Sequence, residues 1–210
     1  MDRKRLVDAA ILLIAALVYL ALVSPVSVVK LAAASAGPVY LSGEEGTMGL
    51  IIKLPWEAKA ASSILDTLES AGVPACFAVT AETARAAPKL VYDIAARGHT
   101  TALLYDGEPV GGALERLSAV TGERPAFLIA GRDLPANEER EAGRLGLTVI
   151  VPTVELPAGA SWNGIGRTSL NGGTVAAEPT EAFAAQLPFF LEKIKNMGLD
   201  IVSIHKMLYN

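Results

Sequence analysis

The sequence predicts an α/β fold, a parallel sheet or barrel of about seven strands with helices between most of them. Three observations predict it. One pattern recurs four times, a helix ending at a Gly with a short apolar strand directly behind it. The strand candidates are short and apolar on both faces, as strands covered on both sides by helices must be. The helix candidates carry one apolar stripe at three–four spacing.

Composition bounds the function. The chain has 210 residues, 22 acidic and 18 basic, for a net charge of −4; 51% of it is hydrophobic. A nucleic-acid binder usually carries a basic surface, so that class is excluded. One Cys cannot form an internal disulfide, and two His leave no Cys/His cluster for a structural zinc. The apolar content excludes a disordered chain. Cys76 lies within an apolar strand candidate and reads as a small buried hydrophobe.

The first segment is residues 1–36. No residue from Ala9 to Val29 is charged, which suits a bilayer core that needs about 20 helical residues. Arg3, Lys4 and Arg5 precede the run, so the positive-inside rule places the remainder outside the cytoplasm. Two readings of the run are open. It is a retained anchor, or it is a signal peptide cut after Ala34-Ser35-Ala36. Both export the rest of the chain; the anchor is the expectation carried forward. Residues 37–47, rich in Gly, Ser and other small residues, read as a linker, and 48–210 as the domain.

Within the domain the first strand is Gly49–Leu54. A helix follows with Ile64, Leu65 and Leu68 on one face and Ala61 behind them. Gly72 ends it before the strand Val73–Val79. Gly98 precedes the strand His99–Leu104, and Ala126–Ala130 forms the next. Gly146 precedes Leu147–Val151, and Thr174–Ala177 follows. The last helix carries Phe183, Leu187, Phe190, Leu191 and Ile194, with Pro188 inside it. An interior Pro costs about 3 kcal/mol, so a kink, or the start of the regular helix, is expected there. Gly198 then precedes Leu199–Ser203.

Read in this order, the chain resembles the polysaccharide deacetylases (NodB homology, carbohydrate esterase family 4), most of all their sporulation-associated branch. The most specific stretch is Ile64–Thr80, an Ile-Leu-x-x-Leu helix leading into Val-Pro-Ala-Cys-Phe-Ala-Val. Ala87–His99 is similar to the family's Pro-x-Leu-Val…Gly-His segment. Glu178–Ser203, with its Leu187-Pro188 pair, is similar to the closing helix and strand. The resemblance covers about Met48 to Leu208. It implies an irregular (β/α) barrel of about seven parallel strands, with a groove at the C-terminal strand ends.

The family's chemistry is metal-dependent removal of an N-acetyl group from a sugar. The resemblance assigns a metal to one Asp and two His, the base to a second Asp and the acid to a late His. A metal polarises the carbonyl and activates water, and a carboxylate takes the proton. Position by position those residues are replaced. In Ile52-Lys53-Leu54-Pro55-Trp56-Glu57-Ala58, Trp56 keeps the register, Lys53 stands at the base position and Ala58 at the metal Asp. Gly98-His99 begins the second motif, and its two ligand positions are Leu104 and Glu108. The Arg that orients the base aligns near Leu128-Ile129-Ala130, and the late His is Glu178.

The remaining polar residues have ordinary readings. His99 is expected to be a hydrogen-bonded structural residue and His205 a surface or capping one. Lys53 is expected to pair with Glu178, Glu57 or Glu108, or to be solvated. Trp56 and Trp162 either stack on sugar or pack at the rim. Lys53, Trp56, Glu57, Glu108, Trp162 and Glu178 are thus the candidate groove residues. The expectation is an anchored extracytoplasmic pseudoenzyme without metal or cofactor, binding cell-wall carbohydrate or an envelope protein. The rival readings are a protein-interaction domain with a closed groove and a metal-independent hydrolase using Glu57, Glu108 or Glu178.

Overall fold

The computed structural model describes residues 43–55, 60–158 and 165–209, all of them within a unit spanning Ala36–Asn210. The proposed anchor, most of the linker, Trp56, Glu57, Ala58 and Trp162 lie outside the described residues. Among the described residues no helix is long and apolar enough to cross a membrane.

The elements are, in order, β1 (Thr47–Leu54), α1 (Ala61–Ala71), β2 (Cys76–Val79), α2 (Ala81–Ala86), α3 (Pro88–Ala96), β3 (Thr100–Leu104), α4 (Val110–Thr121) and β4 (Phe127–Ile129). Then come α5 (Ala136–Arg144), β5 (Thr148–Ile150), β6 (Val154–Leu156), α6 (Arg167–Leu170), β7 (Thr174–Ala177), α7 (Glu181–Asn196), β8 (Asp200–Ile201) and α8 (Ile204–Tyr209). The sheet order is β5-β4-β3-β2-β1-β7-β6, with β8 paired to the start of β1. Every pairing is parallel. Parallel neighbours need crossovers, and the helices supply them.

The two ends of that path are consecutive in sequence. β5 pairs with β4, and after Val151-Pro152-Thr153 the chain resumes as β6 against β7. One bent stretch therefore joins both edges of the curled sheet. Thr153 fixes the bend, because its N–H donates to Thr174 Oγ1 at 3.2 Å and its Oγ1 accepts from the Thr174 N–H at 3.1 Å. β6 is a strand that the sequence reading did not include.

Alternation along each strand separates two apolar layers. Met48, Leu50, Ile52 and Leu54 of β1 pack with Ile64, Leu65, Leu68, Leu187 and Phe190 in an outer layer under the helices. Ile51 packs with Cys76, Ala78, Ala102, Phe127, Ile129, Ile150 and Ala176 in an inner layer. Half of these inner side chains are small (Cys76, Ala78, Ala102 and Ala176), which helps the sheet curl around them. α8 adds Ile204 and Met207 to that layer. It docks where Gly49 leaves room: a Cβ there would lie 2.7 Å from Met207 Sδ and 2.9 Å from Ile204 Cδ1. Ile204 and Met207 thus fill the interior at the start of β1.

The helix-ending glycines behave as their sequence context predicts. Gly72, Gly98, Gly146 and Gly198 have φ of 64°, 78°, 77° and 67°. That left-handed conformation closes a last helical turn at little steric cost. α7 departs from the expectation in one respect, since it runs from Glu181 through Pro188 to Asn196 without starting afresh at the proline. Thr180 Oγ1 caps it by accepting from the Phe183 N–H, and Phe183, Leu187, Phe190 and Ile194 bury its stripe on both sides of Pro188. Burial on both flanks offsets the lost hydrogen bond. The predicted strand Leu199–Ser203 shrinks to Asp200–Ile201 because α8 begins at Ile204.

Candidate functional site

The C-terminal strand ends form the barrel mouth. Lys53 is the penultimate residue of β1 and pairs in register with Ala78. It is two residues past Ile51, so strand alternation turns it inward, above the inner layer. β1 is held at this end by α2, where Thr83 Oγ1 donates to the Leu54 carbonyl at 3.2 Å and packs on Thr80 Oγ1 at 2.9 Å.

Lys53 Nζ donates to Glu155 Oε2 at 3.2 Å. Glu155 is the middle residue of β6 and pairs with Ala176 of β7, which in turn pairs with Ile51. The ion pair therefore spans two strand spacings, roughly 9–10 Å across the sheet, with a two-residue offset along the strands. The long Lys side chain covers that span, and the methyl group of Ala176 leaves its path clear. The Lys53 side chain is 20% exposed and that of Glu155 50%. At that exposure the pair contributes only about 0.2–1 kcal/mol to stability. What it does is fix the position of a buried-edge ammonium.

The partner is a carboxylate that the sequence reading did not name. Glu57 lies outside the described residues. Glu108 turns elsewhere: its N–H donates to Asp106 Oδ1 at 3.1 Å and its carboxylate is bonded to Arg116 of α4. Glu178 directly follows the last β1–β7 pair, Ile52 with Ala177, so continuing the register brings it level with Lys53. It is half-buried. A signal for Glu155 did exist, a single acid in the otherwise apolar run Val149–Leu156.

Leu104, the last residue of β3, packs against the inner layer at the mouth. Leu128 does not face the mouth. It is fully buried in the outer layer, and Ile129 is the β4 residue that points inward, paired with Leu104. Of the aligned stretch Leu128-Ile129-Ala130, Ile129 is thus the inward residue.

The other singled-out residues lie apart from the mouth. His99 sits at the opposite end of β3, where its Nδ1 accepts the Ala75 N–H at 3.3 Å and its ring meets Phe77 edge-on. Burial, with help from Arg97, lowers its pKa. It is a hydrogen-bonded buried residue. His205 on α8 is exposed and packs edge-on against Phe127 at 4.7 Å between ring centres. Burial pushes the Cys76 thiol up to about 12, so it stays protonated and inert.

A hydrolytic metal needs carboxylate or imidazole donors converging on one point. At this mouth the inward positions are an ammonium (Lys53), two apolar side chains (Leu104, Ile129) and two carboxylates (Glu155, Glu178). A cation beside Lys53 would meet like charge, and Glu155 is engaged by that Lys. Among the described residues no group of three or more His, Cys, Asp or Glu side chains could hold a metal ion. The described residues do not fit a divalent metal. Of the three acids of the hydrolase reading, Glu57 lies outside the described residues, Glu108 is bonded to Arg116 and Glu178 stands level with Lys53.

No protein-family profile matches the chain, and no curated protein matches it. Solved structures do. The fold is similar to that of BA3943, a CE4 family pseudoenzyme from Bacillus anthracis, with a TM-score of 0.71 and 16% identity over 83% of this chain and 69% of that one. It is similar to PdaA, a family 4 carbohydrate esterase of Bacillus subtilis, with a TM-score of 0.70 and 18% identity over 82% of this chain and 85% of that one. A third is Bc1960, a peptidoglycan N-acetylglucosamine deacetylase, with a TM-score of 0.65 and 18% identity over 81% and 90%. Active and inactive proteins thus share this scaffold.

Proposed function

We propose that this chain, which has the polysaccharide-deacetylase fold, is a pseudoenzyme of the cell envelope. Its domain serves as a binding or scaffolding module, held on the extracytoplasmic face by residues 1–36 as a membrane anchor. The observation that carries the reading is the Lys53–Glu155 ion pair. It occupies the end of β1 that the resemblance assigns to the catalytic base. A Lys there sets a positive charge where the family's metal and carboxylate base would stand, and repels a metal. Leu104 supports the same reading, because a leucine offers a metal nothing. The Trp56 register of the first motif favours the sporulation-associated branch. BA3943 is a precedent for a CE4 scaffold described as a pseudoenzyme.

The ligand class that fits best is cell-wall glycan, the polymer named for Bc1960. The test uses the 210-residue chain purified in detergent. It is offered zinc in a calorimeter, N-acetylated chito-oligosaccharide in an acetate-release assay, and insoluble peptidoglycan in a sedimentation assay. The expected result is no stoichiometric zinc, no acetate, and retention on peptidoglycan. One bound zinc per chain together with acetate release would overturn the loss of catalysis. Failure to sediment with peptidoglycan would overturn the glycan ligand.

A further inference from the structure

The chain enters the domain at the end of the barrel where the strands begin, opposite the mouth. The Gly43 N–H donates to the Gly172 carbonyl at 2.6 Å, and the Gly172 N–H donates to the Thr47 carbonyl at 2.7 Å, at the start of β1. α8 closes the same end. Its Ile204 and Met207 join the inner layer, and Val202, just before it, donates its N–H to the Met48 carbonyl at 2.9 Å. Entry point and helix lie close together: a Cβ on Gly43 would be 2.9 Å from Met207 Cε.

The outer side of α8 is open to solvent. His205, Lys206 and Tyr209 are exposed, Tyr209 by 56%. A Tyr and a Lys on one exposed surface suit the headgroup layer of a bilayer. The ring buries carbon while its hydroxyl stays wet, and the ammonium reaches out on its long stem. Acids and bases are mixed at this end, since Glu44, Glu45, Glu123 and Asp200 are exposed as well as Arg124 and Lys206. Charge therefore does not single out anionic lipid.

The tether decides the partner. With residues 1–36 as the anchor, only residues 37–42 separate it from Gly43. From residue 36 to Gly43 a fully extended chain spans at most about 25 Å. β1 alone, with its 8 residues, is about 25 Å long. Turning the mouth toward the lipid would lift Gly43 at least that far and use the whole tether. The end that carries Gly43 and α8 reaches the lipid without any such extension.

We propose that the strand-start end of the barrel, with Lys206 and Tyr209 of α8, rests on the headgroup layer of the bilayer, and that the mouth with Lys53 and Glu155 faces away from the membrane. This orientation rests on the anchor reading given above. It turns the mouth toward the wall, the side from which a glycan polymer approaches.

The experiment reconstitutes the 210-residue chain in phosphatidylcholine vesicles, with or without lipid that carries a nitroxide on its headgroup. A fluorophore is attached at Tyr209→Cys, or at Asp133→Cys beyond the mouth end of β4; both positions are exposed, and the native Cys76 is buried and does not label. The expected result is flotation with the vesicles, loss of emission at 209 when nitroxide lipid is present, and no loss at 133. Should Tyr209→Cys fail to fold, Lys206→Cys, a second exposed position of α8, shows the same loss. A chain that does not float would overturn the anchor, and this orientation with it. A chain that floats but is quenched equally at both positions, at 133 alone or at neither would overturn the orientation and leave the anchor standing.

Discussion

Lys53 of β1 and Glu155 of β6 are joined at 3.2 Å across the methyl group of Ala176 on the intervening β7. This bond ties the central strand to the stretch that closes the sheet. It also sets the charge pattern of the mouth. Lys53→Met and Glu155→Gln should each destabilise the domain by no more than about 1 kcal/mol, and their double mutant should show coupling of similar size. Lys53→Asp, which replaces the cation by a third carboxylate at the mouth, should cost more than Lys53→Met. Urea denaturation of the parent and the four variants, at low and high salt, measures this. A coupling near zero would leave the pair without an energetic role.

Gly49 lets α8 sit against β1. Gly49→Ala would place a methyl carbon 2.7 Å from Met207 Sδ and 2.9 Å from Ile204 Cδ1. Overpacking of this kind costs about 1–3 kcal/mol. Met207→Ala should recover part of that loss in the double mutant, although it loses packing by itself. Thermal unfolding of the single and double variants reads both effects. If Gly49→Ala is neutral, α8 does not dock as described.

Much of the barrel was legible in the sequence, because its signals are local. Four glycines marked helix ends, and all four have positive φ. The apolar runs marked most of the strands. What escaped depended on partners far along the chain. β6 is three residues long and follows Pro152, so no periodicity announces it. Glu155 is 102 residues from Lys53, and only the sheet order brings them together. In a strand one residue is decisive, because a shift by one exchanges the two faces.

Leu128 and Ile129 make that point measurable. Leu128 lies fully buried in the outer layer, against the helices. Leu128→Ala should therefore cost about 2–5 kcal/mol, as large-to-small changes in a packed core do. Leu128→Arg should not fold, since an unpaired charge would be buried among apolar side chains. Ile129→Arg, on the inward face beside Leu104, has the mouth as an outlet for its charge. It should be the better tolerated of the two. Soluble yield and circular dichroism compare them directly, and the reverse ranking would mean that the two faces are exchanged.

His99 gives the domain a predictable response to acid. Its ordinary pKa is 6.5, and in the folded chain burial lowers it, with Arg97 acting in the same direction. Above about 6.5 the ring is neutral in both states and contributes no pH dependence. As pH falls below that value the unfolded chain takes up a proton that the folded chain refuses. Proton uptake then favours unfolding, so stability declines toward the lower folded pKa and levels off beneath it. The greatest slope one such group can give is about 1.4 kcal/mol per pH unit. His99→Gln retains an acceptor for the Ala75 N–H but does not titrate. It should flatten the stability profile between neutral and mildly acidic pH. Urea midpoints taken across that range decide the matter. An unchanged slope in His99→Gln would remove His99 as the source of the acid sensitivity.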